Sequence, residues 1–420
     1  MLAVILAGGL GTRMGEEYCE MPKPLVKING KPVLEHQIEA LRKEGIKDFL
    51  LIVGHKWTQI ADYFGDGNGL GVNISYFVEE EPLGTAGALF RIPFEEDFLL
   101  CNGDLIFDFS LSAMLEFHKE KKALATLFCH PNSHPYDSTL VVADKDSRIT
   151  DFVSPSDRNG HYANLCNAGI HIISPELLRQ FRITDKANLD KDVLLPSLNT
   201  GRIFAYKSCE YVHDMGTPER LSNVEKDLNS GLVSALHRSK KQKAVFLDRD
   251  GTINVLKGYI TKAEEIELLP SAAESVKIFN RLGYLSIVIT NQPVIARGEC
   301  TEKELRNIHN RLESLLGEEG AYIDGIYYCP HHPDKGFENE IPELKINCNC
   351  RKPSPGLILK AAEDFNIDLS QSYMVGDSEK DVLAAENAGC TPVMLSANNK
   401  SNNKTPVYDS LYSFAKQLKS

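Results

Sequence analysis

At 420 residues, with 42% apolar and 25% charged side chains, the chain is too long for one hydrophobic core and has the make-up of a folded globular protein. A net charge of −12 excludes a nucleic-acid binder held by phosphate contacts, while leaving room for local basic pockets that take small phosphorylated ligands. Ten cysteines in so long a chain make no disulfide framework, and three of them between residues 329 and 350 point to a metal in a reducing compartment. The N-terminus has no basic region and a short, glycine-interrupted apolar run, so it does not read as a signal peptide. No apolar run approaches the ~18 residues of a membrane span. A cytoplasmic protein with small-molecule substrates, and with neither nucleic acid nor membrane as partner, is expected.

The opening run LAVILA (2–7) predicts a strand covered on both faces. The loop GGLGTRMG follows. Gly8, Gly9 and Gly11 let backbone amides converge on an anion, and Thr12 and Arg13 add a hydroxyl and a fixed cation. The loop is no Walker motif, since no Gly-Lys-Ser/Thr ends it; taken alone it fits a phosphate cradle or a plain turn. Pro22 and Pro24 stiffen the backbone around Lys23, and an amphipathic helix follows. Behind a Gly-rich loop Lys23 offers a second cation for a triphosphate. FLLIVG (49–54) is another buried strand, and helix–strand alternation predicts a parallel sheet. In EPLGTAGAL, Gly84, Thr85 and Gly87 open a helix; FLLCNGD (98–104) is a strand ending in Asp104, which by itself also fits a cap or turn.

LAGGLGTRM, MPKPL, EPLGTAGAL, NGD, NAGIHI and VHDMGTPE occur in the order and spacing of the sugar-phosphate nucleotidyltransferases. Residues 1 to about 230 resemble that family, and most of all its guanylyltransferases for mannose 1-phosphate or heptose 1-phosphate. The resemblance implies a Rossmann-like domain over 1–232. In it Gly8, Gly9, Gly11, Thr12 and Arg13 hold the nucleotide and Lys23 meets phosphate. Gly84, Thr85, Asn167 and Gly169 contact base and sugar, and Asp104 and Asp214 bind magnesium. The reaction needs such residues: a sugar 1-phosphate oxygen attacks the α-phosphorus in line and pyrophosphate leaves, so the protein positions reactants and neutralises charge. Arg13 would stabilise the leaving pyrophosphate. The chain departs from the family where a Glu-Lys pair commonly precedes the NAG segment. Val153 and Ser154 stand there, with Lys191 or Arg158 as substitutes. The hexapeptide-repeat domain of many pyrophosphorylases is missing, so any self-association is expected as a homodimer rather than a β-helix trimer.

Residues 230–243 are polar and basic and mark the joint between domains, with 233–242 as linker. The run Ala244 to Leu247 predicts a buried strand that delivers Asp248 and Asp250 to its C-terminal end, where open α/β sheets keep their ligands. SAAESVKIFNRLG reads as a helix with Ser271 as N-cap and Gly283 as its stop. A strand ending in Thr290 and Asn291, a helix over 302–316, a strand into YCPHH, the turn RKPSPG with its helix, and a strand into GDSEKD complete a second parallel, doubly wound sheet. The tail after residue 399 reads as a polar linker and a short amphipathic helix, packed on this second domain.

DxDGT, Thr-Asn, RKP and GDSxxD together resemble the haloacid-dehalogenase-like (HAD) phosphatases over 243–398. The fold class is thus α/β with two doubly wound domains. The resemblance implies that Asp248 is the nucleophile, that Asp250 protonates the leaving alcohol and then activates water, and that Thr290, Asn291, Arg351 and Lys352 bind substrate phosphate. It further implies that Asp248, Asp377 and the Asp250 carbonyl hold magnesium. Cys329 and His331, then Cys348 and Cys350, repeat a one-residue spacing that suits a closed tetrahedral zinc site. That arrangement before RKPxPG is typical of phosphatases for histidinol phosphate and heptose 1,7-bisphosphate. Relatives read TNQSGIARG where this chain has Pro293 and Val294, which predicts altered loop geometry with the chemistry kept. Removal of a 7-phosphate leaves a heptose 1-phosphate that a guanylyltransferase can activate, so the fusion points to consecutive steps. Mannose 1-phosphate and histidinol phosphate are alternative substrates, and a zinc-stabilised scaffold without turnover is the alternative role for the second half.

Overall fold

The computed structural model describes residues 1–9, 21–158, 160–396 and 405–419. Gly11, Thr12 and Arg13 of the glycine loop therefore lie outside the described residues. The chain forms two compact units. One comprises residues 1–130, 141–153 and 167–237; the other comprises 131–140, 154–166 and 238–420. Among the described residues no helix is long and apolar enough to cross a membrane.

The first unit is built on a nine-stranded sheet. Its parallel part contains β1 (Leu2–Leu6), β2 (Asp48–Val53), β3 (Asn73–Val78) and β4 (Phe98–Asn102), in the order β4-β1-β2-β3. Continuous apolar runs form these strands because both faces are covered: Ala3, Val4, Ile5, Leu51, Val53 and Leu99 are fully buried. Helix α1 (Val33–Lys43) covers part of one face with Leu34, Ile38 and Leu41. The sheet is not parallel throughout. After β5 (Leu105–Asp108), β6 (Ala125–His130), β7 (Leu140–Ala143) and β8 (Ile149–Val153), the long β9 (Cys166–Ile173) pairs antiparallel with β4. Next, β10 (Ile203–Lys207) pairs with β6, and β11 (Tyr211–Asp214) with β5. Because β1 lies between β2 and β4, its C-terminal end opens at the point where strand order reverses, the place open α/β sheets use for ligands.

The second unit has a six-stranded, wholly parallel sheet. Its strands are β12 (Lys243–Leu247), β13 (Tyr284–Asn291), β14 (Gly325–Cys329), β15 (Tyr373–Gly376), β16 (Thr391–Leu395) and β17 (Val407–Tyr408), in the order β14-β13-β12-β15-β16-β17. Val245, Phe246 and Leu247 of the central strand are fully buried, each stabilising the fold by roughly 1.5–3 kcal/mol. The connecting helices are α2 (Ala272–Arg281), α3 (Glu302–Glu318), α4 (Gly356–Asp364) and α5 (Glu379–Ala388). The C-terminal α6 (Leu411–Lys419) packs Phe414 against Phe279 and Tyr373.

Three local features go beyond the sequence reading. Ser271 occupies the N-cap position of α2 but makes no side-chain cap; it is left-handed (φ 60), and its carbonyl accepts the Ser275 hydroxyl instead. The 1–232 domain boundary is crossed by two segments, 131–140 and 154–166, that belong to the second unit. There the Tyr162 and Asn164 backbone N–H groups donate to Ser314 and Glu313 of α3. Arg158 sits in the second of these segments. Its guanidinium donates to the Pro135 and Ser138 carbonyls and lies over the Tyr162 ring, so it is engaged structurally rather than as a sugar-phosphate cation.

Candidate active sites

In the second unit, β12 ends at Asp248, β13 at Thr290 and Asn291, and β15 at Gly376 beside Asp377. Lys352 is buried among them. Its ammonium lies 2.8 Å from Asp248 Oδ1 and 2.6 Å from Asp381 Oδ1, and donates to the Ile289 carbonyl at 2.7 Å. Burial alone pulls the Lys352 pKa down, but the two carboxylates outweigh it and hold the amine above its ordinary value. Burial pushes the Asp248 carboxyl up to about 6 against the pull of Lys352, and burial followed by Asp381 raises Asp377. Carboxylate oxygens of Asp248, Asp377 and Asp381 lie within 4.8 Å of one another, a hard, oxygen-rich set that fits magnesium. Gly251 (φ +83) turns the chain where any Cβ would strike the Asp377 carboxylate, so the DRDGT turn admits no other residue easily.

Asp381 is absent from the residues singled out in the sequence, although the second Asp of GDSEKD was the available signal. Ser378 and Asp381 form a capping box on α5, with the Ser378 hydroxyl 2.5 Å from Asp381 Oδ2, and this turns the carboxylate toward Lys352. Asp250 stands apart from the carboxylate group, paired with Arg249. Thr290 is buried and accepts from Gln292 at 2.8 Å. The Asn291 amide both donates to the Lys352 carbonyl (3.1 Å) and accepts from its N–H (3.0 Å), which fixes the RKP turn to the end of β13. Val294 is fully buried and its carbonyl accepts the Glu299 and Cys300 N–H groups; Pro293 caps a turn whose carbonyl takes Arg297 N–H.

Cys329, His331, Cys348 and Cys350 converge, with one ligand atom of each within 4.8 Å of the others. The Sγ–Sγ distances are 3.6, 3.3 and 3.2 Å, far beyond a disulfide bond, and His331 Nδ1 lies 3.2 Å from Cys350 Sγ. His332 is outside this cluster and accepts the Asp334 N–H. Arg351 donates to the His331 carbonyl at 3.2 Å, so the cluster steadies the residue next to Lys352.

In the first unit, Gly8 and Gly9 follow β1, and Glu79 backs onto them: a Cβ on Gly8 would lie 3.1 Å from Glu79 Oε2. Burial raises the Glu79 carboxyl above its usual range. This residue, too, was not singled out in the sequence; one Glu among three (79–81) carries no distinguishing mark. Lys23 forms a short ion pair with Asp104. Asp214 faces Arg220 at 3.1 Å, and β5–β11 pairing puts it opposite Leu105, with Met215 N–H on the Asp104 carbonyl. The two residues expected for magnesium are thus neighbours along the backbone pairing, each carboxylate beside a cation. Gly84 (φ +77) lies against the Ala187 carbonyl, and Thr85 Oγ1 accepts Leu189 N–H at 2.8 Å. Asn167 donates to Asp190 (3.2 Å) and accepts from Gly169 N–H (3.1 Å). The residues expected at base and sugar are therefore joined through one segment, 187–190.

A family model described as nucleotidyl transferase matches residues 2–231. The chain belongs to the nucleotidyl transferase family. A second model, described as HAD-hydrolase-like, matches residues 349–411. A D-glycero-beta-D-manno-heptose-1,7-bisphosphate 7-phosphatase of Vibrio cholerae is 42% identical over 146 residues, which cover 35% of this chain and 76% of that protein. The phosphatase of the same description from Haemophilus ducreyi is 41% identical over 155 residues, 37% of this chain and 82% of that one. The C-terminal half belongs to this HAD-like phosphatase family. Among solved structures, HddC from Yersinia pseudotuberculosis complexed with GMP-PN is 26% identical, covering 54% of this chain and 99% of its own (TM-score 0.47). A D,D-heptose 1,7-bisphosphate phosphatase from B. bronchiseptica complexed with magnesium and phosphate is 31% identical, covering 42% and 98% (TM-score 0.37).

Proposed function

We propose that the chain is a bifunctional enzyme that removes the 7-phosphate of D-glycero-D-manno-heptose 1,7-bisphosphate and transfers a guanylyl group from GTP to the resulting heptose 1-phosphate. The observation that carries this reading is the pairing itself: one chain joins a relative of heptose bisphosphate phosphatases to a nucleotidyl transferase unit, and removal of the 7-phosphate leaves a sugar 1-phosphate of the kind such a transferase can take as acceptor. In the phosphatase unit Asp248 attacks the 7-phosphoryl group, Lys352 and Thr290 hold its oxygens, and Asp250 handles the proton of the leaving alcohol. Asp248, Asp377 and Asp381 would hold magnesium, which when bound lowers the repulsion between carboxylate and phosphate. Cys329, His331, Cys348 and Cys350 would hold a zinc with no open position, whose role is to shape the loop beside Arg351.

In the transferase unit Asp104 and Asp214 would hold a second magnesium, and Arg13, Lys23 and the glycine loop would meet the triphosphate. The half-buried Glu79 beside Gly8 favours guanine: a carboxylate accepts from both ring N–H and amino donors, which adenine and the pyrimidines do not present together on one edge. Incubation of the protein with heptose 1,7-bisphosphate and each nucleoside triphosphate in turn tests the reading. GDP-heptose and pyrophosphate should form with GTP alone, while phosphate is released whichever nucleotide is present. Phosphate release without any nucleotide sugar would defeat the transferase assignment; a sugar nucleotide made equally from all four triphosphates would defeat the role of Glu79.

A further inference from the structure

The Asp250 carboxylate receives five N–H contacts from three side chains. Arg249 reaches Oδ1 through Nε (3.2 Å) and Nη2 (3.0 Å), and Oδ2 through Nη2 (2.8 Å). Asn254 adds 2.9 Å to Oδ1 and Gln292 adds 3.2 Å to Oδ2. All three partners are buried, and the Arg249 side chain is wholly so, whereas 19% of the Asp250 side chain remains exposed. A buried guanidinium is strongly destabilising without its carboxylate, so this ion pair resists any displacement of Asp250. Gln292 also donates to Thr290 Oγ1 at 2.8 Å, which leaves the Thr290 hydroxyl hydrogen to be given elsewhere.

We infer that Arg249 is a positioning residue for Asp250, and that Gln292 couples that position to Thr290. The inference rests on the phosphatase reading above. In the first transfer an Asp248 oxygen bonds to phosphorus, the P–O bond to the alcohol breaks, and the departing oxygen takes a proton from Asp250. In the second, water bonds to phosphorus, gives its proton to Asp250, and the Asp248–phosphorus bond breaks to release phosphate. Both transfers require the Asp250 carboxyl at a fixed place beside the leaving or attacking oxygen, and a rigid fork gripping both of its oxygens supplies that place. Arg249 touches no substrate atom in this scheme; it acts through Asp250.

The test compares kcat/KM, which reports the first transfer, for an alkyl ester (heptose 1,7-bisphosphate) and an aryl ester (p-nitrophenyl phosphate) whose leaving oxygen needs little protonation. Arg249→Met should lower the alkyl value by about 100-fold or more and the aryl value far less, since general-acid help is worth about 10²–10⁴. Arg249→Lys, which keeps charge but loses the fork, should restore part of the alkyl rate. Circular dichroism and thermal unfolding of the same samples, together with the retained aryl-ester activity, report that the phosphatase unit is folded. Equal losses on both esters, or no loss, would overturn the inference. If neither Arg249 variant folds, Asn254→Ala and Gln292→Ala decide it by the same criterion: a selective alkyl loss of about 10-fold supports it and an equal loss overturns it. A wild-type protein idle on both esters would instead overturn the phosphatase reading, and this proposal with it.

Discussion

Asp324 shows how far a single residue's chemistry depends on its surroundings. It is partly buried just before β14, where Oδ2 accepts the Ser286 N–H at 2.7 Å, and burial pushes its carboxyl up from 3.8 to about 7. The folded state therefore holds this proton more tightly than the unfolded chain. The stability it contributes is complete below pH 3.8 and is lost as pH rises through 7, by at most about 4 kcal/mol. Asp324→Asn keeps an acceptor for Ser286 without a charge. It should therefore stabilise the unit by roughly 2 kcal/mol more at pH 8 than at pH 5.5 in chemical unfolding; a pH-independent effect would show that the carboxyl titrates normally. The catalytic carboxylates were legible in the sequence because DRDGT and GDSEKD fix their spacing. Asp381 and Glu79 were not singled out, because each draws its role from a neighbour far along the chain, Lys352 and Gly8; Arg249 was not, because nothing in the sequence shows that its side chain is buried against the adjacent Asp250.

The cysteine–histidine loop between β14 and α4 is an element whose shape comes from chemistry rather than from packing. Residues 330–355 carry little regular structure beyond a short 3-10 turn, and many of their side chains are exposed. A zinc held by the converging Cys329, His331, Cys348 and Cys350, as proposed above, would supply what a hydrophobic core otherwise supplies. About one tightly held zinc per chain is expected by elemental analysis. Cys348→Ser should lose it and lower the phosphatase kcat/KM by at least about 10-fold, because the His331 carbonyl would no longer hold Arg351, beside Lys352, in place; His332→Ala should keep the metal. A chain equally stable and active after zinc removal would exclude this role. The four residues were readable from their repeated spacing. The path from His331 to Arg351 was not, because it runs through a backbone carbonyl that has no sequence signature.

For the molecule as a whole, two sheets carry two sets of polar residues, each at the C-terminal end of its own central strand. Asp248→Asn should abolish phosphate release and GDP-heptose formation from the bisphosphate, while guanylyl transfer to heptose 1-phosphate continues within about 2-fold of wild type, as expected if each unit works independently. Loss of both activities in a folded variant would show that the sites are linked. Asp104→Asn should give the reverse pattern, with pyrophosphate formation reduced by at least about 100-fold and phosphate release intact, since the proposed magnesium ligand is removed from one unit alone.

The sequence by itself determined the two α/β units, the parallel strands at the centre of each and the position of most polar groups at strand ends. Those features follow from local signals: apolar runs, glycine turns and carboxylates at short, fixed spacing. Only the tertiary structure decided that 131–140 and 154–166 belong to the second unit, that Arg158 is engaged by carbonyls, that Ser271 does not cap its helix and that Arg249 grips Asp250 from the core. Each of these depends on which distant surfaces meet. Burial then sets the energetic weight of a contact, since the same charge that is nearly neutral in water becomes costly or decisive once it is enclosed.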